Sequence, residues 1–472
     1  MNFLQKTYNF HFRTFSYIYL LISLLLFAYG WLNVSAALLL VAALAAGMYF
    51  ALSDSHPVSS SAKLTTGQCL LLLAFVALWV STSGIGGIGF QNSDYEKHNA
   101  ILLDLIKNPW PVVYPSGDFL IYSFAYYLPA AAWGKAFGWA SANYFMFAWA
   151  VIGIFLGLQW FIALVGKPAV WVAAIFALLG GLDYLGSYWI KGNIPHFGDH
   201  IEWWAGFAQM SSVTTQLYWV PQHGIGGWLL TGLLLYEIWQ SKSLGNAGFI
   251  IALSLLWSPL VAIGLFIIAG FAGALRVPKC LSKSNLLIAP VIGVMMSVFI
   301  LGNTYHHPYE FIWRSYPILA NMTQYLLFFP LEVGVLAVFA WTGISALSSN
   351  QKQWFLFCVA SLFILSFLKF GATNDLVMRT SIPLLLTFWI LVSKIALALP
   401  RQVNFRNCFF AAFILISFMG SISEMQRAYR YFSLKIPDQT TIKSTPAVLL
   451  GEQYLGNTAS IYARYLAPKA DQ

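Results

Sequence analysis

Charge is what this chain has least of. Only 9% of its 472 residues are Asp, Glu, Lys or Arg, while 59% are hydrophobic; an ordinary soluble domain carries roughly 25% charged residues. That scarcity excludes water as the main solvent. Cysteine is also rare. Cys69, Cys280, Cys358 and Cys408 are the four, and they fall in expected spans or on the expected cytoplasmic side, which argues against a disulfide framework and for small buried apolar residues. No low-complexity linker, internal repeat or soluble-domain boundary interrupts the chain.

What is present instead is a succession of hydrophobic runs from Ser16 to about Ser423, each long enough to cross a hydrocarbon core. In lipid every backbone amide must be satisfied within its own segment, so these runs are read as helices. The expected fold is all-α: a polytopic transmembrane helical bundle of about 13 helices with a large first external loop. The formal charge of +9 would suggest nucleic acid in a soluble protein. Here the cations stand at helix ends, so the positive-inside rule explains them and no nucleic-acid partner is expected. Lys6 and Arg13, without an acid, place the N-terminus in the cytoplasm. The first run resembles a signal peptide with a cleavage point near Ala36, but a second span follows at once, and it is read as a retained helix.

With Lys63, Lys242, the Arg276/Lys279/Lys283 group, Lys352 and the Lys394/Arg401/Arg406 group all cytoplasmic, the external face receives residues 91–118, the turn at Trp257-Ser258-Pro259 and a tail over 424–472. Between Asp118 and Gly181 three hydrophobic segments must make an even number of crossings. One of them is therefore re-entrant or superficial, with Lys135 and Lys167 as the candidate cytoplasmic markers.

On this topology the polar chemistry gathers outside. Six of the eight histidines, His98, His196, His200, His223, His306 and His307, face that way. Glu332, Glu237 and Lys369 are the few ionisable groups near helix ends, so a proton relay at mid-membrane depth is disfavoured. The first loop reads Asp94-Tyr-Glu96-Lys97-His98. Asp94 and His98 converge whether the segment is extended or helical. Asp94, Glu96 and His98 suit a divalent cation such as Mg or Mn, or Asp94 serves as a base toward a hydroxyl. A second cluster runs from His196 through His200, Glu202, Trp203 and Trp204 to Trp219-Val-Pro221-Gln222-His223, and its aromatics and hydrogen-bonding side chains suit a sugar or prenyl phosphate. His223 ranks above His196 and His200. A third, Asn374-Asp375-Leu-Val-Met-Arg379, sets a guanidinium where a lipid phosphate would lie, though Asp375 and Arg379 are spaced as an i,i+4 ion pair. Adjacent His306 and His307 make a weaker fourth patch. Asp183 ends an apolar run and needs exposure or a partner.

This layout resembles the GT-C superfamily of membrane glycosyltransferases: Asp94-Tyr-Glu96 in the first external loop, Asp183 further on, a Ser-Pro break in a short outer hairpin, and Arg379 late in the chain. It is also similar to a branch of bacterial membrane proteins carrying Asp94-x-x-Lys97-His98, Trp219-x-Pro221-Gln222-His223 and Asn374-Asp375-x-x-x-Arg379. The resemblance covers most of residues 67–423, a GT-C-like catalytic module. Residues 1–66, two further N-terminal transmembrane helices, depart from the usual start. It implies an inverting transfer of a sugar from a polyprenyl-phosphate or polyprenyl-diphosphate donor to a glycan, lipid or protein acceptor, on the outer face of a bacterial inner membrane. Asp94, Glu96, His98 and Asp183 would be catalytic; Lys97, Glu202, Trp219, Gln222, His223, Asn374, Asp375 and Arg379 would bind substrate. The competing expectations are a transporter or flippase of a lipid-linked or anionic substrate, an O-antigen polymerase or ligase, and a scaffold or sensor.

Overall fold

The computed structural model describes residues 11–53, 64–167, 170–305, 308–399 and 404–468. Lys6, Lys63, Arg401, His306 and His307 lie outside them. The protein is an all-α integral membrane protein: seven helices are long and apolar enough to cross a bilayer among the described residues, and four shorter apolar helices accompany them.

In chain order the helices are α1 (Phe12–Trp31), α2 (Val34–Ser53), α3 (Thr66–Val80), α4 (Tyr95–Lys107), α5 (Leu128–Val165), α6 (Val170–Leu178), α7 (Asp183–Lys191), α8 (Val213–Trp219) and α9 (Pro221–Trp239). The second half adds α10 (Ala247–Trp257), α11 (Pro259–Ala274), α12 (Ala289–Ile300), α13 (Met322–Phe329), α14 (Val335–Trp341), α15 (Ser349–Leu365), α16 (Asp375–Ala398), α17 (Phe405–Ser417) and α18 (Met419–Arg430). Local chemistry sets several starts. Thr65 with Gln68 and Ser348 with Gln351 form capping boxes on α3 and α15, satisfying amides that a helix start leaves open. Pro259 opens α11 and the Ser258 side chain caps it, which makes the expected turn between α10 and α11.

The bundle core packs α5 along α9, α11 along α16, and α10 along α12. Small residues permit this closeness: a Cβ on Gly232 of α9 would sit 2.4 Å from the Trp160 ring of α5. At one end, Arg13 of α1 meets Glu237 at the foot of α9 in a buried ion pair of 2.7 Å. At the other end the loops and the C-terminal tail converge.

The odd segment is the first of the three between Asp118 and Gly181. Residues 119–120 form a strand, β1 (Phe119–Leu120), and α5 is broken at Gly138, whose φ of 82° and ψ of 174° belong to glycine alone. The arm before the break is too short to span. Lys135, carried on it, lies at the same end as the α4 loop, where its ammonium donates to the Ile106 and Asn108 carbonyls.

The tail returns to the bundle. Its strand β4 (Leu455–Gly456) pairs antiparallel with β1, Phe119 opposite Gly456 and Leu120 opposite Leu455. Buried Asp104 on α4 accepts from the Thr445 amide at 2.8 Å, and Tyr462 donates to the Trp31 carbonyl at 2.8 Å. A second short pair, β2 (Glu310–Phe311) with β3 (Leu368–Lys369), closes the other side, tied by the Lys369–Glu310 ion pair at 3.0 Å. Of the four cysteines only Cys358 is buried, so the small-apolar reading fits that one position.

Candidate functional site

At the loop-bearing end a cavity of about 630 Å³ lies between α4, the 121–123 loop, the α8–α9 junction, the α10–α11 break, the start of α16 and tail residues 450–454. Eight of the twelve residues expected to be catalytic or substrate-binding line it, Asp94, Lys97, His98, Trp219, Gln222, His223, Asp375 and Arg379, and His200 and Trp203 of the second cluster join them. Its wall is apolar as well as polar, and Leu301 and Tyr309 line it while remaining 79% and 66% exposed. The cavity is therefore bordered by exposed hydrophobic side chains.

The first loop folds into α4 because Asn92 anchors it, donating to the Tyr218 carbonyl at 2.8 Å and accepting from the Asp94 amide at 2.9 Å. That sets Asp94 at the head of α4, where its carboxylate pairs with Lys97 at 3.2 Å. Glu96 turns the other way, to Lys443 of the tail at 3.1 Å, and both are exposed. His98 is buried. Its Nε2 lies 2.9 Å from the Trp219 carbonyl and must donate there, so Nδ1 accepts from the Tyr127 hydroxyl. Burial holds this imidazole below its ordinary value, with nearby Lys97 and Arg379 adding to the effect against Asp94. Both ring nitrogens are thereby occupied. Asp94, Glu96 and His98 each face a different partner and do not make one ligand set, and no group of three His, Cys, Asp or Glu that could hold a metal ion occurs among the described residues.

Across the cavity, Gln222 and His223 stand on the first turn of α9. The Tyr122 hydroxyl accepts from the Gln222 amide at 3.1 Å and lies 3.4 Å from His223 Nε2. Burial raises the Tyr122 phenol, so it stays protonated. Tyr454 of the tail packs edge-on against Tyr122 at 4.5 Å, and Asn303 ties the Ile121 and Gln453 carbonyls together. Arg379 forms the expected i,i+4 ion pair with Asp375. Asn374 does not line the cavity. It takes a left-handed conformation at the N-cap of α16 and its amide donates to the Phe207 and Leu368 carbonyls, each at 3.2 Å, so it positions the helix start. Three buried polar atoms of lining residues have no hydrogen-bond partner among the described residues: Gln222 Oε1, His223 Nδ1 and Arg379 Nε. Buried polar atoms are ordinarily satisfied, so the wall is built to meet water or a polar ligand.

Asp183 and Glu202 lie outside this lining. Asp183 is buried rather than exposed, at the start of α7, and its Oδ2 and Glu332 Oε2 are both buried without a donor; a Cβ on Gly181 would fall 3.1 and 2.7 Å from them. Trp204 Nε1 donates to the other Glu332 oxygen at 3.1 Å. Glu202 sits one layer beneath the cavity, accepting from Thr215 Oγ1 at 2.7 Å and from the Ser212 amide and Gln209 at 3.2 Å. Burial pushes its carboxyl up from the usual range. Asp183 and Glu332 belong to candidate spans, so two of the few ionisable groups noted near helix ends lie buried inside the bundle and close together.

Several wall residues were not anticipated. Tyr122, Gln453 and Tyr454 carry no motif, and the last two reach the site only through the tail's return. Glu424, taken as the first residue of an external tail, belongs to α18. It accepts from His200 Nδ1 at 2.6 Å, from Trp219 Nε1 at 3.2 Å and from Arg427. The acid and arginine three residues apart at the end of an apolar run are the signal that could have extended that helix. Compared with known proteins, the chain matches no family model, no curated protein and no solved structure, so its site is read from its own residues.

Proposed function

We propose that this protein is a membrane glycosyltransferase that moves a sugar from a polyprenyl-phosphate donor to an acceptor hydroxyl, probing the donor sideways from the bilayer. The observation that carries the reading is a single cavity in which Arg379 and Asp94 share walls with exposed, apolar Leu301 and Tyr309. A lipid phosphate needs a cationic, multidentate partner beside an apolar opening, and a guanidinium supplies it. A hydroxyl that attacks an anomeric carbon needs an anionic or basic group, and the opposite wall offers Asp94. In this reading the seven long helices and the shorter apolar ones form a GT-C-like arrangement of about 13 crossing segments. The N-terminus is cytoplasmic and the cavity is on the outer face of a bacterial inner membrane. The products serve a cell-envelope glycan or glycolipid. Glu96 is paired with Lys443 and both His98 nitrogens are engaged, so no step is routed through a divalent metal.

A second reading, a transporter or flippase for a lipid-linked or anionic substrate, draws on one observation. Asp183 and Glu332 lie buried side by side within candidate spans, as a proton-coupled carrier requires. Purified protein with radiolabelled undecaprenyl-phosphate-linked glucose, galactose and mannose separates the two. Release or transfer of sugar, lost in Asp94→Asn and Arg379→Gln, is the expected result. Counterflow in vesicles without any chemical change would overturn the transferase reading.

A further inference from the structure

Three histidines line the cavity, and their surroundings differ. His98 spends both ring nitrogens on Tyr127 and Trp219. Among the described residues, the His223 ring nitrogens have one hydrogen-bond partner, the Tyr122 hydroxyl. His200 is the one held by a carboxylate: Nδ1 lies 2.6 Å from Glu424 Oε1, while Glu424 itself is 1% exposed. No hydrogen-bond partner of His200 Nε2 occurs among the described residues. The neutral ring with its proton on Nδ1 therefore presents a lone pair on Nε2, as a base oriented by a third group requires.

The surroundings fix this arrangement. Ser423 on α18 accepts from the Gly198 amide at 3.0 Å and donates to the Asp199 carbonyl at 2.9 Å, which fastens the loop carrying His200 to the helix carrying Glu424. The His200 ring lies against Trp219, with centroids 4.5 Å apart, and the Arg427 guanidinium lies 5.0 Å from a Trp219 ring centroid. The charged groups around His200 are Glu424 and Arg427 from α18, Glu202 from the layer beneath and Asp199 beside it. Gln209, Ser211 and Thr215 continue the same wall. Amide, hydroxyl and indole side by side suit the hydroxylated face of a carbohydrate.

We propose that His200 and Glu424 form an acid–base dyad on the acceptor side of the cavity, with His200 as the catalytic base and Glu424 as its positioning residue, toward a carbohydrate hydroxyl. This rests on the transferase reading and reassigns the proton: Asp94, already paired with Lys97, orients the acceptor. The acceptor O–H gives its proton to His200 Nε2 as the oxygen forms its bond to the anomeric carbon. The bond from that carbon to the phosphate oxygen breaks, and its electron pair leaves on the polyprenyl phosphate at Arg379. Glu424 offsets the imidazolium until water removes the proton.

Two measurements test the dyad separately from the reading beneath it. The first needs no substrate: intact protein in detergent is treated with diethyl pyrocarbonate over a pH series, and histidine peptides are quantified by mass spectrometry. His200 should react at least about tenfold faster than His98, whose nitrogens are both engaged, and Glu424→Gln should cut that ratio roughly threefold or more by leaving Nδ1 a weaker acceptor. Equal rates for His200 and His98, or a ratio unmoved in Glu424→Gln, overturn the dyad even if the variants are inactive. The second uses the undecaprenyl-phosphate-linked sugars. His200→Gln should lower kcat by about 10² to 10⁴ with KM little changed, and Glu424→Gln should lower kcat by a smaller factor with KM likewise little changed. Undiminished kcat in His200→Gln, in a protein that turns these donors over, overturns the assignment. If wild type turns over none of them, the transferase reading falls and the modification data alone judge the dyad.

Discussion

If Arg379 holds a lipid phosphate, undecaprenyl phosphate should bind more weakly to Arg379→Gln and more tightly to Asp375→Asn. The opposite signs come from the geometry. Arg379 spends one donor on Asp375, its neighbour one turn back, and its buried Nε has no partner. Removing the guanidinium removes the charge-assisted hydrogen bonds to the phosphate, about 1.5–3 kcal/mol, or roughly 10- to 150-fold in Kd. Removing the Asp375 charge frees a donor and relieves like-charge repulsion. One ordinary hydrogen bond, about 0.5–1.5 kcal/mol, gives roughly a 2- to 12-fold gain. Asp375 tolerates loss of its partner because it lies in the first turn of α16, where the helix N-terminus favours an anion. The double variant is the folding control. Binding can be followed by native mass spectrometry or by quenching of the cavity tryptophans. An Arg379→Gln protein that binds within twofold of wild type, and melts like it, refutes the phosphate assignment.

Other consequences concern stability. Glu237→Gln strands Arg13 in a buried site and should cost about 3–5 kcal/mol, whereas the joint Arg13→Met/Glu237→Leu replacement should recover most of it, read as thermal midpoints in one detergent. His98 is held below its ordinary value by burial, so the unfolded chain binds the proton more readily. The stability this neutral histidine supports is present above about pH 6.5 and is lost as pH falls through the lower folded value; His98→Asn should show a shallower decline in melting temperature over that window. Gly138→Ala should destabilise by about 1–3 kcal/mol, measurable in the same melts, purely through the backbone, because a Cβ there meets nothing within 4 Å.

The spans were legible because a bilayer tolerates so little. A hydrophobic run that must satisfy its own amides has one option, and Pro259 marked a start that the capping geometry repeats, whereas the caps at Thr65 and Ser348 became visible only in the structure. The crossing count between Asp118 and Gly181 was legible only as a constraint. Hydropathy cannot distinguish a segment that crosses from one that turns back at a glycine, and the residue types gave no sign of the break at Gly138 or of the strand before it. Nor could they show that Lys135 shares an end with α4, since its acceptors, the Ile106 and Asn108 carbonyls, come from a distant segment.

The site divides along the same line. Asp94, His98, His223 and Arg379 were found as chemistry in loops, and they do share a cavity, but their partners were not readable. A sequence gives the donor or acceptor type of a side chain and leaves open which long-range neighbour consumes it. His98 looked like a ligand until Tyr127 and the Trp219 carbonyl took both its nitrogens, and Glu96 looked catalytic until Lys443 of the tail drew it away. The reverse happened at His200, which ranked low because its decisive neighbour, Glu424, lies more than two hundred positions along the chain. Motif spacing therefore finds groups that come from one segment, whereas a histidine and a carboxylate from two segments become visible as a pair only when folding has placed a ring nitrogen against a buried oxygen beside the cavity.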